Sequence, residues 1–174
     1  MKKLVKKAQR GDKQSFTKLI LYYQKDLYKI ARIRLSNEED INDAVQETII
    51  TAYKSIDNLH EISKFKSWLI TILINKCNFI YRKQTLNNTI SYENINAEKF
   101  FSKEFEINSD LEFYNLISKL YIDEKTILIL HYVEGYKLNE IAQILNIKDS
   151  TVRSKLLRAK NKIKNDLKED CDYE

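Results

Sequence analysis

The feature that most restricts what this chain can fold into is an absence. It contains no proline, and its two glycines are Gly11 and Gly135. An all-β fold needs many tight turns, which call on glycine for positive φ and on proline for a fixed one. Lys, Leu, Glu and Gln recur instead, and all four favour helices. The fold class expected is therefore all-α. With 174 residues, 43% of them apolar, and eleven Tyr and seven Phe, the chain can build one core or two small ones.

The periodicity favours two. Residues 1–83 carry long apolar repeats consistent with three or four helices, with breaks around Gly11 and Asp12, Ser36 and Asn37, and Asn58 to Ser63. Residues 84–110 lose clear periodicity and are acidic, with five acids against Lys99 and Lys103. This stretch reads as a linker. It is richer than a plain spacer, because Tyr92, Ile95, Phe100, Phe101 and Phe105 are apolar enough to dock. Helical pattern resumes at Leu111, so residues 111–174 make a second, smaller domain.

In that second domain Val152, Leu156, Ala159 and Ile163 recur at i, i+4, i+7 and i+11, one apolar stripe that must face a core. Ser150, Arg153, Ser154, Arg158 and Asn161 hold the other face. Just upstream, Ile141, Ala142 and Leu145 mark a short helix. Ala142 suits a close helix crossing, Asn146 can take the left-handed conformation of a tight turn, and Ile147 re-enters the core. The pattern is a helix-turn-helix, whose second helix would lie in a major groove. From Lys148 to Lys168 eight Lys or Arg face two acids, a larger excess than the net +5 of the whole chain. An αα-hairpin with a solvated basic face shares this pattern. Lys137 and Lys148, at helix starts where a cation opposes the dipole, make more sense if phosphates approach there; Asp149 offers a cap for the second helix.

Two N-terminal segments also carry polar surfaces. Over Glu38 to Ile56 the positions Ile41, Ala44, Val45, Thr48, Ile49, Ala52 and Ile56 form a buried side, leaving Asp43, Gln46 and Glu47 outside. Acids near a helix start also follow from the dipole alone. The helix after Phe65 is apolar around most of its circumference, Trp68 and Phe79 included, except for Thr71, Asn75, Asn78 and Arg82 on one narrow stripe. Such a stripe is either an ordinary solvent face or a set of amides beside aromatic rings suited to an unstacked base.

Catalysis finds little support. His60 and His131 stand apart, Cys77 and Cys171 lack metal-ligand spacing, and isolated glycines cannot cradle a phosphate. No catalytic residue, metal or cofactor is expected. Two cysteines form no disulfide framework, and no apolar run matches a signal peptide or membrane span, so a cytoplasmic protein that does not insert into membranes is expected.

The string "EGYKLNEIAQILNIKDSTVRSKLLRAKNKI" (residues 134–163) closely resembles the minus-thirty-five-binding helix-turn-helix of bacterial sigma factors, especially the extracytoplasmic-function group. "DAVQETIITAY" (residues 43–53) resembles that family's core-polymerase-binding helix, and "FKSWLITILINKCNFIYRK" (residues 65–83) its promoter-melting helix. Order and spacing match over nearly the whole chain. Two departures stand out: Lys137 and Lys148 replace the usual cap serine, and "LYIDEKTILILHYVEG" (residues 120–135) lacks the more common Leu-Pro turn and arginine.

The resemblance implies roles. Asp43, Gln46 and Glu47 would dock on core RNA polymerase. Lys64, Lys66, Trp68, Thr71, Asn75, Asn78 and Arg82 would meet the minus-ten DNA, with Lys76 and Lys83 also on its backbone and residues 58–64 as the loop that captures a flipped base. Lys148, Ser150, Thr151, Arg153, Ser154, Lys155 and Arg158 would meet the minus-thirty-five DNA. The partners implied are core RNA polymerase, promoter DNA and an anti-sigma factor. The competing reading is a stand-alone helix-turn-helix regulator, which needs a dimer interface and no polymerase-binding helix.

Overall fold

Each expected break in the N-terminal half is a helix boundary in the computed structural model, which describes residues 1–87 and 116–171. Helix α1 (Lys2–Gln9) ends at Gly11, whose φ of 87° lies in the left-handed region that glycine enters freely. Asp12 then caps α2 (Lys13–Arg34). Its Oδ1 accepts from the amides of Gln14 at 3.1 Å and Ser15 at 3.4 Å, and the Ser15 hydroxyl donates to Oδ2 at 2.7 Å. That hydroxyl, with the backbone bonds, holds the Asp12 carboxyl below its ordinary pKa. Asn37 caps α3 (Glu38–Ser55) through the amide of Glu39, and Glu38, Glu39 and Asp40 occupy its first turn, where the helix dipole favours acids.

Two single-turn 3₁₀ helices, Ile56–Asn58 and Ile62–Lys64, lead into α4 (Phe65–Asn87). Leu69, Ile70, Leu73 and Ile74 of α4 are buried with Leu27 and Ile30 of α2 and with Ile41, Ala44 and Val45 of α3. Helices α2, α3 and α4 pack on one another, and α1 covers α2. Helix α4 runs past Lys83 to Asn87, and the Gln84 side chain donates to Asp40 at 2.5 Å, so the start of the expected linker is helical. The acidic, aromatic remainder of that linker lies outside the described residues.

The chain divides into two compact units, Met1–Ile90 and Ser91–Glu174. In the second, α5 (Ile122–Leu128) passes into a π-helical turn (Ile129–Val133), followed by α6 (Leu138–Leu145) and α7 (Asp149–Cys171). The wide turn closes with Glu134 N–H on Ile129 O at 3.0 Å. Gly135, at φ 74°, lets Tyr136 N–H reach Leu130 O at 2.9 Å. Both α5 and α6 pack on α7. Ile127, Ile129, Leu130, Ile141, Val152 and Ala159 are fully enclosed there. In α6, Ile144 takes the deep position beside Ile141 and Ala142, and Leu145 is only half-buried. The described residues contain no strand, and no described helix is long and apolar enough to cross a membrane.

Candidate nucleic-acid interface

Burial of Ile41, Ala44, Val45, Thr48 and Ala52 turns Asp43, Gln46 and Glu47 outward on α3, and all three are exposed. Thr48 avoids an unsatisfied hydroxyl by donating to Ala44 O at 2.6 Å. The outer face continues through Ile50 and Tyr53, both exposed, at the next turns of the same helix. Sequence reasoning passed over these two apolar positions, although their offsets from Gln46 mark them as its neighbours. Glu47 also meets Lys76 of α4 at 3.4 Å, an exposed pair worth about 0–1 kcal/mol that leaves both groups easy to redirect.

The polar stripe of α4 is divided between scaffold and surface. Thr71 is half-buried and donates to Ser67 O at 3.0 Å. Asn78 is half-buried and accepts from Arg34 Nη2 of α2 at 2.6 Å, so its oxygen already serves the fold. Asn75 and Arg82 remain exposed. Phe79, one of the apolar residues around this helix, is 68% exposed. It lies one turn from Asn75, and the i, i+4 offset was the signal that joins them. Directly beneath this surface Cys77 is buried, and desolvation pushes its thiol pKa up to about 12.

The lysines expected near the minus-ten DNA are also partly engaged. Lys66 pairs with Asp26 at 2.9 Å and stands 5.9 Å from the centre of the Tyr23 ring. Lys64 pairs with Glu61 at 2.8 Å. Hydrogen bonds from Lys64 and from the Ser63 hydroxyl hold the Glu61 carboxyl below its ordinary pKa. Trp68 is half-buried, tilted against Phe65 with ring centres 5.8 Å apart. The loop that carries these groups is pinned from α1: Gln9 Nε2 donates to Ile56 O at 3.1 Å and Leu59 O at 2.8 Å. No sequence motif announced that clamp, because its partners are backbone carbonyls far along the chain.

The helix-turn-helix of the second unit forms through Asn146, which takes φ 52° and ψ 48° at the end of α6. Ile147, half-buried, follows it and donates its amide to Ala142 O at 3.0 Å. The missing cap at Lys137 is supplied from inside the helix: Glu140 Oε2 accepts the Lys137 amide at 2.8 Å. Along α7 Val152 and Ala159 are fully buried and Leu156 nearly so, while Ser150, Arg153, Ser154, Arg158 and Asn161 are exposed. Lys148 is exposed and Thr151 half-buried. Lys155 turns back to Asp123 of α5 at 3.0 Å, and Lys162 donates to Lys119 O at 2.6 Å, so both brace the unit. Asp149 is the first residue of the helix, and its Oδ2 accepts from Arg153 Nε at 2.8 Å.

Two family models match along the chain: Sigma-70 region 2 over residues 19–86, and Sigma-70 region 4 over residues 110–163. An ECF RNA polymerase sigma-E factor of Haemophilus influenzae is 34% identical, over 93% of this chain and 92% of its own length. The chain belongs to the ECF RNA polymerase sigma factors. As such it binds core RNA polymerase and directs promoter-specific transcription initiation. The Bacillus subtilis sigma factor SigV is 31% identical over 88% of this chain and 91% of its own. Among solved structures, the sigma factor RpoE of Bartonella quintana, in complex with the anti-sigma factor NepR, shares the fold. Its TM-score is 0.70 at 24% identity, covering 89% of this chain and 98% of that one. CnrH, in complex with the cytosolic domain of CnrY, gives 0.68 at 23% identity, covering 97% of each chain. The region 2 match contains α3 and all but the last residue of α4 of the sigma factor, and the region 4 match contains α6 and the first part of α7.

Proposed function

We propose that this sigma factor divides promoter recognition between α4 and α7 and docks on core polymerase through α3. Asp43, Gln46 and Glu47, flanked by the exposed Ile50 and Tyr53, form the docking face. Acids and an amide beside exposed apolar side chains suit an interface whose charge sets register and whose apolar contacts supply affinity. On α4, Asn75 and Phe79 hold an unstacked minus-ten base by amide hydrogen bonds and ring stacking, with Arg82 and Lys83 on the backbone. Thr71, Trp68, Lys64 and Lys66 frame that site, and Asn78 positions it through Arg34. On α7, Ser150, Arg153, Ser154 and Arg158 enter the minus-thirty-five major groove, with Lys148 and Thr151 toward phosphates.

The observation that carries this reading is the exposed row of Arg153, Ser154 and Arg158 on the side of α7 opposite the fully buried Val152 and Ala159. The sigma factor supplies recognition, and the polymerase supplies the chemistry of RNA synthesis, in the cytoplasm. An anti-sigma protein is its regulatory partner, a proposal supported by the two similar structures, one a complex with the anti-sigma factor NepR and the other with the cytosolic domain of CnrY. Run-off transcription by purified core polymerase on a pool of genomic promoter fragments tests the whole. Discrete new transcripts are expected only when the chain is added. Unchanged transcription, together with tight operator binding by the chain alone, contradicts the proposal and favours a stand-alone regulator.

A further inference from the structure

We infer that Asp149 is a positioning residue that sets specificity in the minus-thirty-five element by holding the Arg153 guanidinium in one orientation. This rests on the reading above that Arg153 faces the DNA. The Asp149 carboxylate takes Arg153 at Nε, 2.8 Å from Oδ2, one helical turn away. The Arg153 side chain is otherwise open, 66% exposed, and has no second partner among the described residues. With Nε occupied, the two terminal nitrogens are left as the only two-pronged donor edge. That edge is the one suited to O6 and N7 of a guanine approached end-on.

The helix dipole favours an acid in the first turn of α7, but no capping hydrogen bond uses this carboxylate. The amides of Thr151 and Val152 at the start of α7 go to Lys148 O, at 2.9 and 3.1 Å, and Asp149 takes neither. Its Oδ1 is buried without a partner. Between Lys148 and Asn165, Asp149 is the one acid in a basic run, on a face expected to meet a polyanion. An acid placed there weakens every nearby phosphate contact. It also biases Arg153 away from phosphates, which look alike at every base pair, and toward a base edge, which does not. Arg158 has no such restraint. Its Nε reaches only the Ser154 carbonyl, at 3.4 Å, so its guanidinium can swing between groove and backbone.

The test uses the full chain assembled with core polymerase on a promoter library with every base at each minus-thirty-five position, read by sequencing transcripts. Arg153→Ala is expected to lower discrimination about tenfold at one or two base pairs. Asp149→Ala is expected to lower discrimination at those same base pairs about threefold or more, while initiation on mismatched promoters holds or rises. Asp149→Glu, which preserves an i, i+4 carboxylate for Arg153, should restore most of it. In the Arg153→Ala background, Asp149→Ala should change discrimination no further. If Arg153→Ala leaves discrimination intact, Arg153 does not read the element and the inference falls with that reading. If Arg153→Ala relaxes it and Asp149→Ala does not, the inference alone is overturned. A loss in Asp149→Ala that persists without Arg153, or that Asp149→Glu does not restore, assigns the carboxylate to helix structure and also overturns it.

Discussion

Helices α4 and α7 are each 23 residues long and each is proposed to meet promoter DNA, yet they spend their circumference in opposite ways. Helix α4 is embedded. Leu69, Ile70, Leu73, Ile74 and Cys77 are enclosed, and several of its polar groups are tied to neighbours: Lys66 to Asp26, Thr71 to Ser67 O, Asn78 to Arg34. Helix α7 buries a single stripe and leaves Ser150, Arg153, Ser154, Arg158, Lys160 and Asn161 outside. The difference matches two physical tasks. Holding an unpaired base needs a few groups in fixed positions on a rigid surface, whereas following a duplex needs many polar and cationic groups of matching reach.

The largest effect separating the two helices should be on stability. Leu73→Ala opens a cavity among α2, α3 and α4 and should cost about 2–5 kcal/mol, while Leu157→Ala on the open face of α7 should stay within about 0.5 kcal/mol. Urea unfolding of the first unit can be followed through Trp68, the single tryptophan, and that of the second by helix content. Equal costs would break the contrast between scaffold and surface. Next, replacing Asp43, Gln46 and Glu47 together by Lys should weaken core-polymerase binding about a hundredfold with helix content intact. Undiminished co-purification with core would move the docking face elsewhere.

These expectations depend on how much of each helix could be read before the structure. Helix α7 was almost fully legible, because one apolar stripe against a polar face is a period that sequence records directly. The buried Val152, Leu156 and Ala159 follow from it, and the left-handed turn before the helix follows from the residue type of Asn146. What escaped was local: the i, i+4 bond of Asp149 to Arg153, and the reach of Glu140 back to Lys137. In α4 nearly every turn is apolar, so periodicity could not separate the enclosed Cys77 from the exposed Phe79. Nor could it show that Asn78 belongs to Arg34, since that bond joins helices far apart in sequence. The π-helical turn at Ile129–Val133 left no compositional mark at all.

Smaller effects sharpen the account of α7. Arg158→Ala should cost about 1–3 kcal/mol in promoter preference at one or two base pairs if it reads a guanine edge, as a transcription competition between matched and altered promoters would report. A uniform loss over all sequences would make it a backbone contact. Lys148→Ala should weaken all promoters alike and lower the salt slope of holoenzyme binding by about one. Lys162→Ala should leave that slope unchanged, because its ammonium is bound to Lys119 O and lies 5.4 Å from the centre of the Tyr121 ring. Equal slopes in the two variants would contradict this sorting of the lysines.

The central claim, that α4 holds the melted strand while α7 reads the duplex, meets its most direct test at Asn75. Permanganate reactivity of minus-ten thymines would be compared between wild-type and Asn75→Ala holoenzyme, on duplex promoters and on templates carrying a pre-formed mismatch bubble. As a mere surface amide, Asn75 could be replaced at a cost within about 0.5 kcal/mol. As a base-holding group, its loss should lower thymine reactivity on duplex DNA with core binding unchanged. The bubble template, whose unpairing energy is already supplied, should recover part of the transcription. Wild-type reactivity of Asn75→Ala on duplex DNA would contradict the assignment of strand melting to this face of α4.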